Sequence, residues 1–304
     1  MVQVLADPGE TRAFTRRART AGKRIALVPT MGNLHAGHLA LVEKARELAD
    51  VIIVSIYVNP TQFSTNEDFG IYPRTREQDR ALLSELEVDA TFEPFSLYTG
   101  RAAAAEGQHL AGSEAAPAAE SHETYIQVER LQQPLCGKSR PHFFKGVATV
   151  VAKLFNIVEP DVAVFGKKDY QQWRVLCRMV RDLDFGIEIV GMPTARESNG
   201  LAMSSRNSML STEDRKRAAC IYHSLKSIQK DLQSGQFHSV HALQSIVAGA
   251  ITDNGGRIDY VEVMDAGELT AVQEVRDQPV VVAVAAFFGT VRLIDNIEID
   301  ATQH

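Results

Sequence analysis

The stretch at residues 24–38, RIALVPTMGNLHAGH, decides the fold class. It begins as a short apolar strand at about 24–29 and passes through a glycine-containing turn into a helix. The apolar positions of this helix fall on one face: Leu39, Val42, Ala45 and Leu48. The next run, 51–58, is almost wholly apolar, as expected of a strand that is buried on both faces. Strand, helix and strand in this order predict a βαβ unit in a parallel sheet with a right-handed crossover.

The same alternation continues through the first two thirds of the chain. Thr75 with Gln78 three residues later resembles a capping box and predicts a helix that runs through Glu87. The elements predicted after it are a strand at 88–93, a helix at 146–157, a strand at 161–165, a helix at 170–183 and a strand at 187–190. Residues 1–192 are therefore predicted to form a Rossmann-like, doubly wound α/β domain. Residues 101–120 have almost no bulky apolar side chain, which predicts a mobile surface insertion.

The last third of the chain has a different character. Ser211 with Asp214 three residues later predicts the start of a long helix, and a second helix follows to about Asn254. Three β-rich runs then come close together: 257–264, 280–287 and 291–296. Helices followed by clustered strands indicate a smaller α+β domain, which we assign to residues 193–304 as a C-terminal lid.

Composition and charge exclude several classes of protein. The chain of 304 residues has 32 Lys+Arg and 38 Asp+Glu, a net charge of −6, and no long basic run, so nucleic-acid binding is not expected. The longest strongly apolar stretch, 280–288, is about half of what a membrane-spanning helix needs, so no membrane association is expected. The N-terminal arginines are predicted to belong to an amphipathic first helix, and a secretory signal is not expected. Three separated cysteines, Cys136, Cys177 and Cys220, fit reduced thiols and a cytoplasmic location.

The first candidate site is His35-Ala-Gly-His38, between the first predicted apolar strand and its helix. Ligands bind at the carboxyl ends of strands in an open parallel sheet, and a helix N-terminus there offers N–H groups and a positive dipole that suit phosphates. The imidazoles would share one face of the first turn, and Gly32 and Gly37 would let a phosphate approach the backbone. Two ordinary exposed histidines are the alternative. A zinc site is disfavoured, because no third ligand with suitable spacing follows.

Two further motifs could act at the same crevice. Residues 165–172, FGKKDYQQ, again combine a strand end, a glycine and a helix start, where a lysine can reach a phosphate and Gln172 can point inward. A pair of solvated lysines is the alternative there. Residues 200–207, GLAMSSRN, place two hydroxyls and a guanidinium in succession, which suits an oxyanion-binding loop. Ser-Ser-Arg turns are common, so the combination of motifs carries the interpretation.

In combination, H-x-G-H and the downstream Met-Ser-Ser-Arg loop resemble the HIGH and KMSKS signatures of the nucleotidyl-transferring α/β superfamily that includes class I aminoacyl-tRNA synthetases. Further runs resemble the pantoate–β-alanine ligase (pantothenate synthetase) family in particular. These runs are 28–38, 54–63, Glu67-Asp68, 72–75, 165–172 and 200–207. The resemblance covers nearly the whole chain. It implies an ATP-dependent ligation of pantoate and β-alanine to pantothenate through pantoyl adenylate, with release of AMP and pyrophosphate.

The family resemblance also implies roles for residues of this chain. The set implied for ATP is Met31, Gly32, Asn33, Leu34, His35, Ala36, Gly37, His38, Gly166, Lys167, Lys168, Asp169, Ala195, Met203, Ser204, Ser205 and Arg206. The set implied for pantoate is Met31, Asn59, Gln62, Tyr72 and Gln172. The set implied for catalysis is His35, His38, Lys168 and Arg206, with His38 as the acid. Mg²⁺ would be held mostly by the triphosphate, with Asp79 as a candidate ligand, and a homodimer is implied.

Four departures separate the chain from the family pattern. Lys167 replaces an acidic residue, and Asn199 replaces a common aspartate. Phe143 occupies the usual histidine position of Arg-Pro-Gly-His-Phe, while His142 sits one place earlier. The stretch at 101–120 is the fourth departure and looks like an insertion. The core constellation remains. Lys167 stands in the ATP set only by its place in the 166–169 motif, because the resemblance gives no role to the lysine side chain there or to His142.

Two other functions remain open at this point. A related nucleotidyltransferase acting on a phosphorylated alcohol would share H-x-G-H, but it would need a cation in place of Gln62 and Gln172. A non-catalytic, nucleotide-binding relative would keep the fold, and the departures at Phe143 and Lys167 are its only support. The candidate residues fit phosphoryl chemistry, which needs positioning and charge neutralisation more than a protein nucleophile.

Overall fold

The computed structural model describes residues 2–63, 70, 72–98, 122–234, 239–275 and 278–300. The amino-terminal part contains β1 (Gln3–Leu5), α1 (Pro8–Thr20), β2 (Ile25–Thr30), α2 (Ala36–Leu48), β3 (Val51–Ile56), α3 (Arg76–Glu85), β4 (Ala90–Phe92), α4 (Cys136–Ser139), α5 (Phe143–Val158), β5 (Val162–Gly166), α6 (Tyr170–Asp182) and β6 (Glu188–Met192). The carboxy-terminal part contains α7 (Thr212–Arg217), α8 (Cys220–Gln233), α9 (Val240–Asp253), β7 (Arg257–Asp265), β8 (Val280–Phe288) and β9 (Val291–Ile299). The predicted insertion at 101–120 and the motif residues Glu67 and Asp68 lie outside the described residues.

Strands β1 to β6 form one parallel sheet in the order β1-β4-β3-β2-β5-β6. Alternate residues of each strand point to opposite faces, and helices cover both faces. Leu27 and Ile53 pack in the core that contains α5 and α6, whereas Val28 and Val54 pack with α2 and α3. The doubly wound α/β prediction is therefore confirmed. The chain moves outward from β2 to β4 and returns to β5 beside β2, so the topological switch point lies between β2 and β5.

Strands β7, β8 and β9 form an antiparallel sheet in that order, which confirms the predicted change of architecture. One face of β8, with Val282, packs in the core that contains α8 and α9. The other face, with Val281 and Ala283, packs with Phe144 of α5 and Val175 of α6. The antiparallel sheet thus contacts both the C-terminal helices and the amino-terminal part. The division into domains between residues 192 and 193 stays a prediction.

Three local features differ from the sequence prediction. Strand β1 pairs with β4 but is only three residues long, too short to show a periodic pattern. Thr75 does not form a capping box, because its Oγ1 donates to the Asp79 carboxylate at 3.2 Å instead of capping the backbone. The long helix predicted from Ser211 is divided into α7 and α8. Ser211 does cap its beginning, since its Oγ accepts the Asp214 N–H at 3.0 Å. Within the described ranges, no helix combines the length and apolar character needed to cross a membrane.

Candidate active site

A cavity of about 1020 Å³ opens at the switch point, where the ends of β2 and β5 meet residues 294–296 of β9. The predicted site residues that line it are Met31, His35, Gly37, His38, Asn59, Gln62, Tyr72, Gly166, Lys168, Asp169, Gln172, Ala195, Met203, Ser204, Ser205 and Arg206. The other predicted residues, all described by the structure, do not line it: Gly32, Asn33, Leu34, Ala36, Lys167 and Asp79. The structure therefore brings the three motifs to one cavity.

The turn between β2 and α2 is shaped by Asp79, a residue of α3 that is only 1% exposed. Its carboxylate accepts the backbone N–H groups of Asn33 at 3.0 Å and Leu34 at 2.8 Å. Gly32 adopts a φ of +82°, and a Cβ there would lie 3.0 Å from Asp79 Oδ2, so glycine is required. These contacts give Asp79 a structural role at the turn, and the Mg²⁺ ligation expected of it stays a prediction.

The two histidines of the first motif are stacked at the start of α2, with their ring centroids 4.1 Å apart. His35 Nδ1 accepts the Gly37 N–H at 3.1 Å, and His38 Nδ1 accepts the His35 N–H at 3.3 Å. This reciprocal pattern begins the helix and occupies the Nδ1 lone pair of both rings. Each neutral ring therefore carries its proton on Nε2, where it is a hydrogen-bond donor.

Burial keeps both histidines uncharged. Desolvation lowers the pKa of His35 to about 4, with a further contribution from the positive charge of Lys168. Desolvation also lowers the pKa of His38 to about 3, assisted by His35 and Lys168. At neutral pH the site therefore presents two neutral N–H donors and one lysine. Such a site suits an anionic phosphate chain.

We expect His38 to make the protein less stable in acid. Its pKa is about 3 in the folded state against an ordinary value of 6.5, so the unfolded chain takes up a proton first as the pH falls below 6.5. At about pH 5 the linked loss is about 2 kcal/mol of unfolding free energy. Urea unfolding at about pH 7 and pH 5 gives this loss for the wild type and for His38→Gln. Between the two pH values, the unfolding free energy of the wild type should fall by about 2 kcal/mol more than that of the variant. Equal losses in the two proteins would contradict the assignment.

The two lysines after β5 point in different directions. Lys168 lines the cavity with a side chain that is 19% exposed, and its Nζ lies 3.6 Å from Asp169 Oδ2. Lys167 Nζ instead forms an ion pair with Glu298 Oε2 of β9 at 2.7 Å and lies 4.6 Å from the ring centroid of Trp173. The lysine that departs from the family pattern thus binds β9, and its neighbour faces the cavity.

The Met-Ser-Ser-Arg loop is joined directly to the first motif, although 172 positions separate them in the sequence. Ser205 Oγ donates to the Asn33 carbonyl oxygen at 3.1 Å. Ser204 Oγ accepts the Arg206 N–H at 3.2 Å and caps the short helical turn that carries Arg206. The Arg206 guanidinium lies 5.8 Å from the ring centroid of Tyr72. Hydroxyls and a guanidinium therefore line the cavity beside the turn that leads to the histidines.

Uncharged side chains line another part of the same cavity. Asn59 Nδ2 donates to Gln62 Oε1 at 3.0 Å, and Gln62 Nε2 contacts Met31 Sδ at 3.1 Å. Gln172 lines the cavity, and its amide forms no hydrogen bond within the part of the chain that the structure describes. The neighbouring Gln171 is buried and also borders the cavity, but its amide bonds the backbone of residues 131–136. The two consecutive glutamines therefore differ: the amide of Gln171 is hydrogen-bonded to the backbone, and the amide of Gln172 is available to a ligand.

The departure at Phe143 changes one wall of the cavity. Phe143 lines the cavity, and the Arg140 guanidinium stacks 3.8 Å from its ring centroid. Arg140 Nη2 also donates to the Gln62 carbonyl oxygen at 3.1 Å. His142, by contrast, is exposed. Arg140, the first residue of the Arg-Pro-Gly-His-Phe position, thus contacts the backbone that carries Gln62, a contact that the sequence does not predict.

Residues of β9 form a part of the site that sequence reasoning missed. Asp295 is 4% exposed and binds Arg196 through both carboxylate oxygens, at 2.7 and 3.0 Å. Arg196 Nη1 also donates to the Gly200 carbonyl oxygen at 3.1 Å. Asn296, the next residue, contacts the turn that carries Lys168. The sequence signal was the adjacent polar pair Asp295-Asn296 in a strand where alternation would expose only one of the two, although both are buried.

A parallel sheet with H-x-G-H at its switch point and a Met-Ser-Ser-Arg loop bonded to it defines the nucleotidyl-transferring α/β class of enzymes. Within this class the motifs differ between families, so comparison with known proteins decides the family. The chain belongs to the pantoate–β-alanine ligase family, since the model described as "Pantoate-beta-alanine ligase" matches residues 3–298.

Known proteins of this family resemble the chain over nearly its full length. The pantoate–β-alanine ligase of Oryza sativa subsp. japonica is 52% identical over 306 residues, covering 98% of this chain and 97% of that protein. The pantothenate synthetase of Desulfatibacillum aliphaticivorans is 43% identical over 295 residues, covering 97% and 98%. The crystal structure of the Thermus thermophilus pantothenate synthetase has a TM-score of 0.83 at 40% identity, covering 97% of this chain and 99% of that one.

A ligand-bound structure is also among the similar proteins. The pantoate–β-alanine ligase of Francisella tularensis, crystallised with β,γ-ATP and β-alanine, has a TM-score of 0.75 at 30% identity, covering 98% of this chain and 97% of that chain. The predicted family and fold are therefore confirmed, and the chain is an enzyme of the ligase class.

Proposed function

We propose that the protein joins pantoate to β-alanine at the expense of ATP, through a pantoyl-adenylate intermediate. The observation that carries the proposal is the composition of the cavity at the switch point. Neutral imidazole donors and Lys168 line it together with Arg206, and the uncharged amides of Gln62 and Gln172 line the same cavity. A triphosphate needs the first set of groups, and a hydroxy acid with a reacting carboxylate suits the second.

The first step transfers the adenylyl group. A carboxylate oxygen of pantoate attacks the α-phosphorus of ATP, the bond to the β-phosphate bridging oxygen breaks, and pyrophosphate leaves. Negative charge shifts toward the departing pyrophosphate during this step. The Nε2–H groups of His35 and His38 and the ammonium of Lys168 would stabilise that charge without forming a covalent bond.

The second step forms the amide. The uncharged amine of β-alanine attacks the carbonyl carbon of the mixed anhydride, and the bond to the AMP oxygen breaks. The products are pantothenate and AMP, and the proton lost by the amine leaves to solvent. The amide groups of Gln62 and Gln172 would hold the pantoyl group in place, so that the reacting atoms stay aligned.

Mg²⁺ fits this site only as a companion of ATP. In the described ranges, no group of three His, Cys, Asp or Glu side chains could hold a metal ion. The carboxylate of Asp79 is engaged by the backbone of the 33–34 turn. We therefore propose that the phosphate oxygens supply most of the ligands for Mg²⁺, which would neutralise charge on the triphosphate.

Isotope exchange between pyrophosphate and ATP tests the proposed function. The exchange should require pantoate and Mg²⁺ but not β-alanine, because only the first step makes and breaks the phosphoanhydride. Release of AMP should additionally require β-alanine. Exchange that depends strictly on β-alanine would contradict the adenylate intermediate, and exchange with a phosphorylated alcohol alone would favour the related nucleotidyltransferase.

Replacement of the paired glutamines should separate binding from stability. Gln172→Ala should weaken pantoate binding by roughly 0.5–1.5 kcal/mol, or more if its partner is a charged carboxylate. It should have little effect on ATP binding. Gln62→Ala should do the same. Gln171→Ala is the matched control: it removes buried hydrogen bonds and should lower the free energy of unfolding by about 1–3 kcal/mol. Calorimetric titration and urea unfolding measure the two effects. Equal losses of pantoate and ATP affinity in Gln172→Ala would refute its assignment.

The family resemblance also supports proposals about the state of the enzyme. We propose a homodimer in the cytoplasm, with residues 193–304 as a separate domain. Light scattering of the purified protein would measure the mass of the assembly, and a mass equal to one chain of 33.4 kDa would contradict the dimer. Fractionation of cells that produce the protein would test its location.

A further inference from the structure

We infer that Asn296 of β9 is a positioning residue for Lys168, an inference that rests on the proposed role of Lys168 at the triphosphate. Asn296 is 7% exposed, and its Nδ2 donates to the carbonyl oxygens of Lys167 and Lys168, at 2.9 Å each. One carboxamide nitrogen thus directs its two hydrogens to two successive carbonyl groups. The contact joins the antiparallel sheet to the parallel sheet at the cavity wall.

The turn that Asn296 contacts has little support of its own. Residues 167–169 form a single turn of 3-10 helix between β5 and α6. Asp169, at the N-cap position of α6, makes no side-chain capping hydrogen bond. The side-chain amide of Asn296 therefore supplies the polar contact that fixes the backbone of Lys168. The lysine side chain remains free to line the cavity.

Asn296 is itself held in a fixed position. Its backbone N–H donates to Asp295 Oδ1 at 2.8 Å, and Asp295 forms the bidentate ion pair with Arg196. Arg196 in turn bonds the Gly200 carbonyl oxygen in the segment that leads to the Met-Ser-Ser-Arg loop. Two adjacent residues of β9 thus hold both nucleotide-contacting segments. The C-terminal sheet would therefore contribute to the reaction by fixing the backbone position from which the Lys168 side chain extends.

Asn296→Asp is the single variant that tests these two hydrogen bonds most directly. Aspartate has almost the same shape, but it replaces two N–H donors with an oxygen that faces two carbonyl oxygens. The turn must then shift, and a shift of about 1 Å in a catalytic group can cost about 10²-fold in rate. We expect pantoate-dependent pyrophosphate–ATP exchange to fall about 10²-fold. The reaction of pre-formed pantoyl adenylate with β-alanine should fall less than about threefold, because no triphosphate is present.

Two companion variants separate positioning from folding. Asn296→Ala removes the donors without adding a charge, and it should show a smaller loss confined to the same half-reaction. Glu298→Gln is the matched control, because it removes the Lys167 ion pair two residues further along β9. That variant should keep the exchange rate within about twofold of the wild type, since Glu298 does not line the cavity and a glutamine oxygen can still accept the Tyr170 O–H. A similar fall of both half-reactions in Asn296→Asp and Asn296→Ala would overturn the inference.

A double-mutant cycle with Lys168→Ala gives the decisive result. If Asn296 acts through Lys168, adding Asn296→Asp to Lys168→Ala should lower the exchange rate by no more than about twofold further. Losses that multiply would overturn the inference while leaving the proposed function intact. Absence of pantoate-dependent exchange in the wild type would instead overturn the proposed function, and the inference with it.

Discussion

Lys168→Ala is expected to slow pantoyl-adenylate formation by about 10²–10³, or roughly 2.7–4 kcal/mol, while the fold survives. Lys168 lines the cavity beside the two histidines, and its charge lowers the pKa of both. Its attraction for the phosphate oxygens should strengthen as charge moves to pyrophosphate, so its loss affects the transition state most. Rapid-quench measurement of adenylate formation gives the rate. The step with pre-formed adenylate and β-alanine should change much less.

The adjacent lysine is the internal control for this experiment. Lys167→Ala removes a similar side chain, but that side chain binds Glu298 and packs over Trp173. Its loss should lower the same rate less than about tenfold and act mainly on stability. If Lys167→Ala abolishes adenylate formation and Lys168→Ala does not, the assignment of the two lysines is wrong.

His38→Ala is expected to have a similarly large effect, again about 10²–10³ in the rate of adenylate formation. The ring is neutral in the unliganded site, and its Nδ1 accepts the His35 N–H, so its contribution is a hydrogen bond from Nε2. A neutral donor can be replaced in part by an amide. His38→Gln should therefore recover some of the rate that His38→Ala loses, as measured by pyrophosphate–ATP exchange.

If His38 acts instead as an acid, as the family resemblance implies, a different result is expected for His38→Gln. A proton donor could not be replaced by glutamine, so His38→Gln would then be as slow as His38→Ala. Comparison of the two variants across the neutral pH range decides between the roles. Partial recovery in His38→Gln supports hydrogen-bond donation, and equal loss supports proton transfer.

The sequence predicted the local parts of the site because strand ends, glycines and helix starts leave short-range patterns. His35, His38 and Lys168 stand next to such ends, and the cavity does contain them. The order of strands and helices likewise predicted the parallel sheet, since apolar runs and helical spacing survive without knowledge of the partners. Resemblance to a known family then named residues, such as Asn59 and Tyr72, that no local pattern singles out.

Long-range contacts could not be predicted in the same way. The contact from Asp79 to the Asn33 N–H spans 46 positions, and the contact from Asn296 to the Lys168 turn spans 128. Neither residue belongs to a short motif with known geometry, so only the folded chain shows what it holds. The Thr75 side chain was misassigned for a related reason: its nearby carboxylate partner competes with the backbone that it was expected to cap.

The two-sided burial of β8 has a consequence for how ligands enter and leave. Val282 belongs to the core with α8 and α9, while Val281 and Ala283 meet Phe144 and Val175. If the C-terminal sheet moved away as a rigid lid, the apolar face that contains Val281 and Ala283 would be exposed to water, and the heat capacity would rise. Ligands are therefore expected to enter and leave through rearrangement of loops. The proposed domain of residues 193–304 is expected to unfold together with the parallel sheet in one cooperative transition.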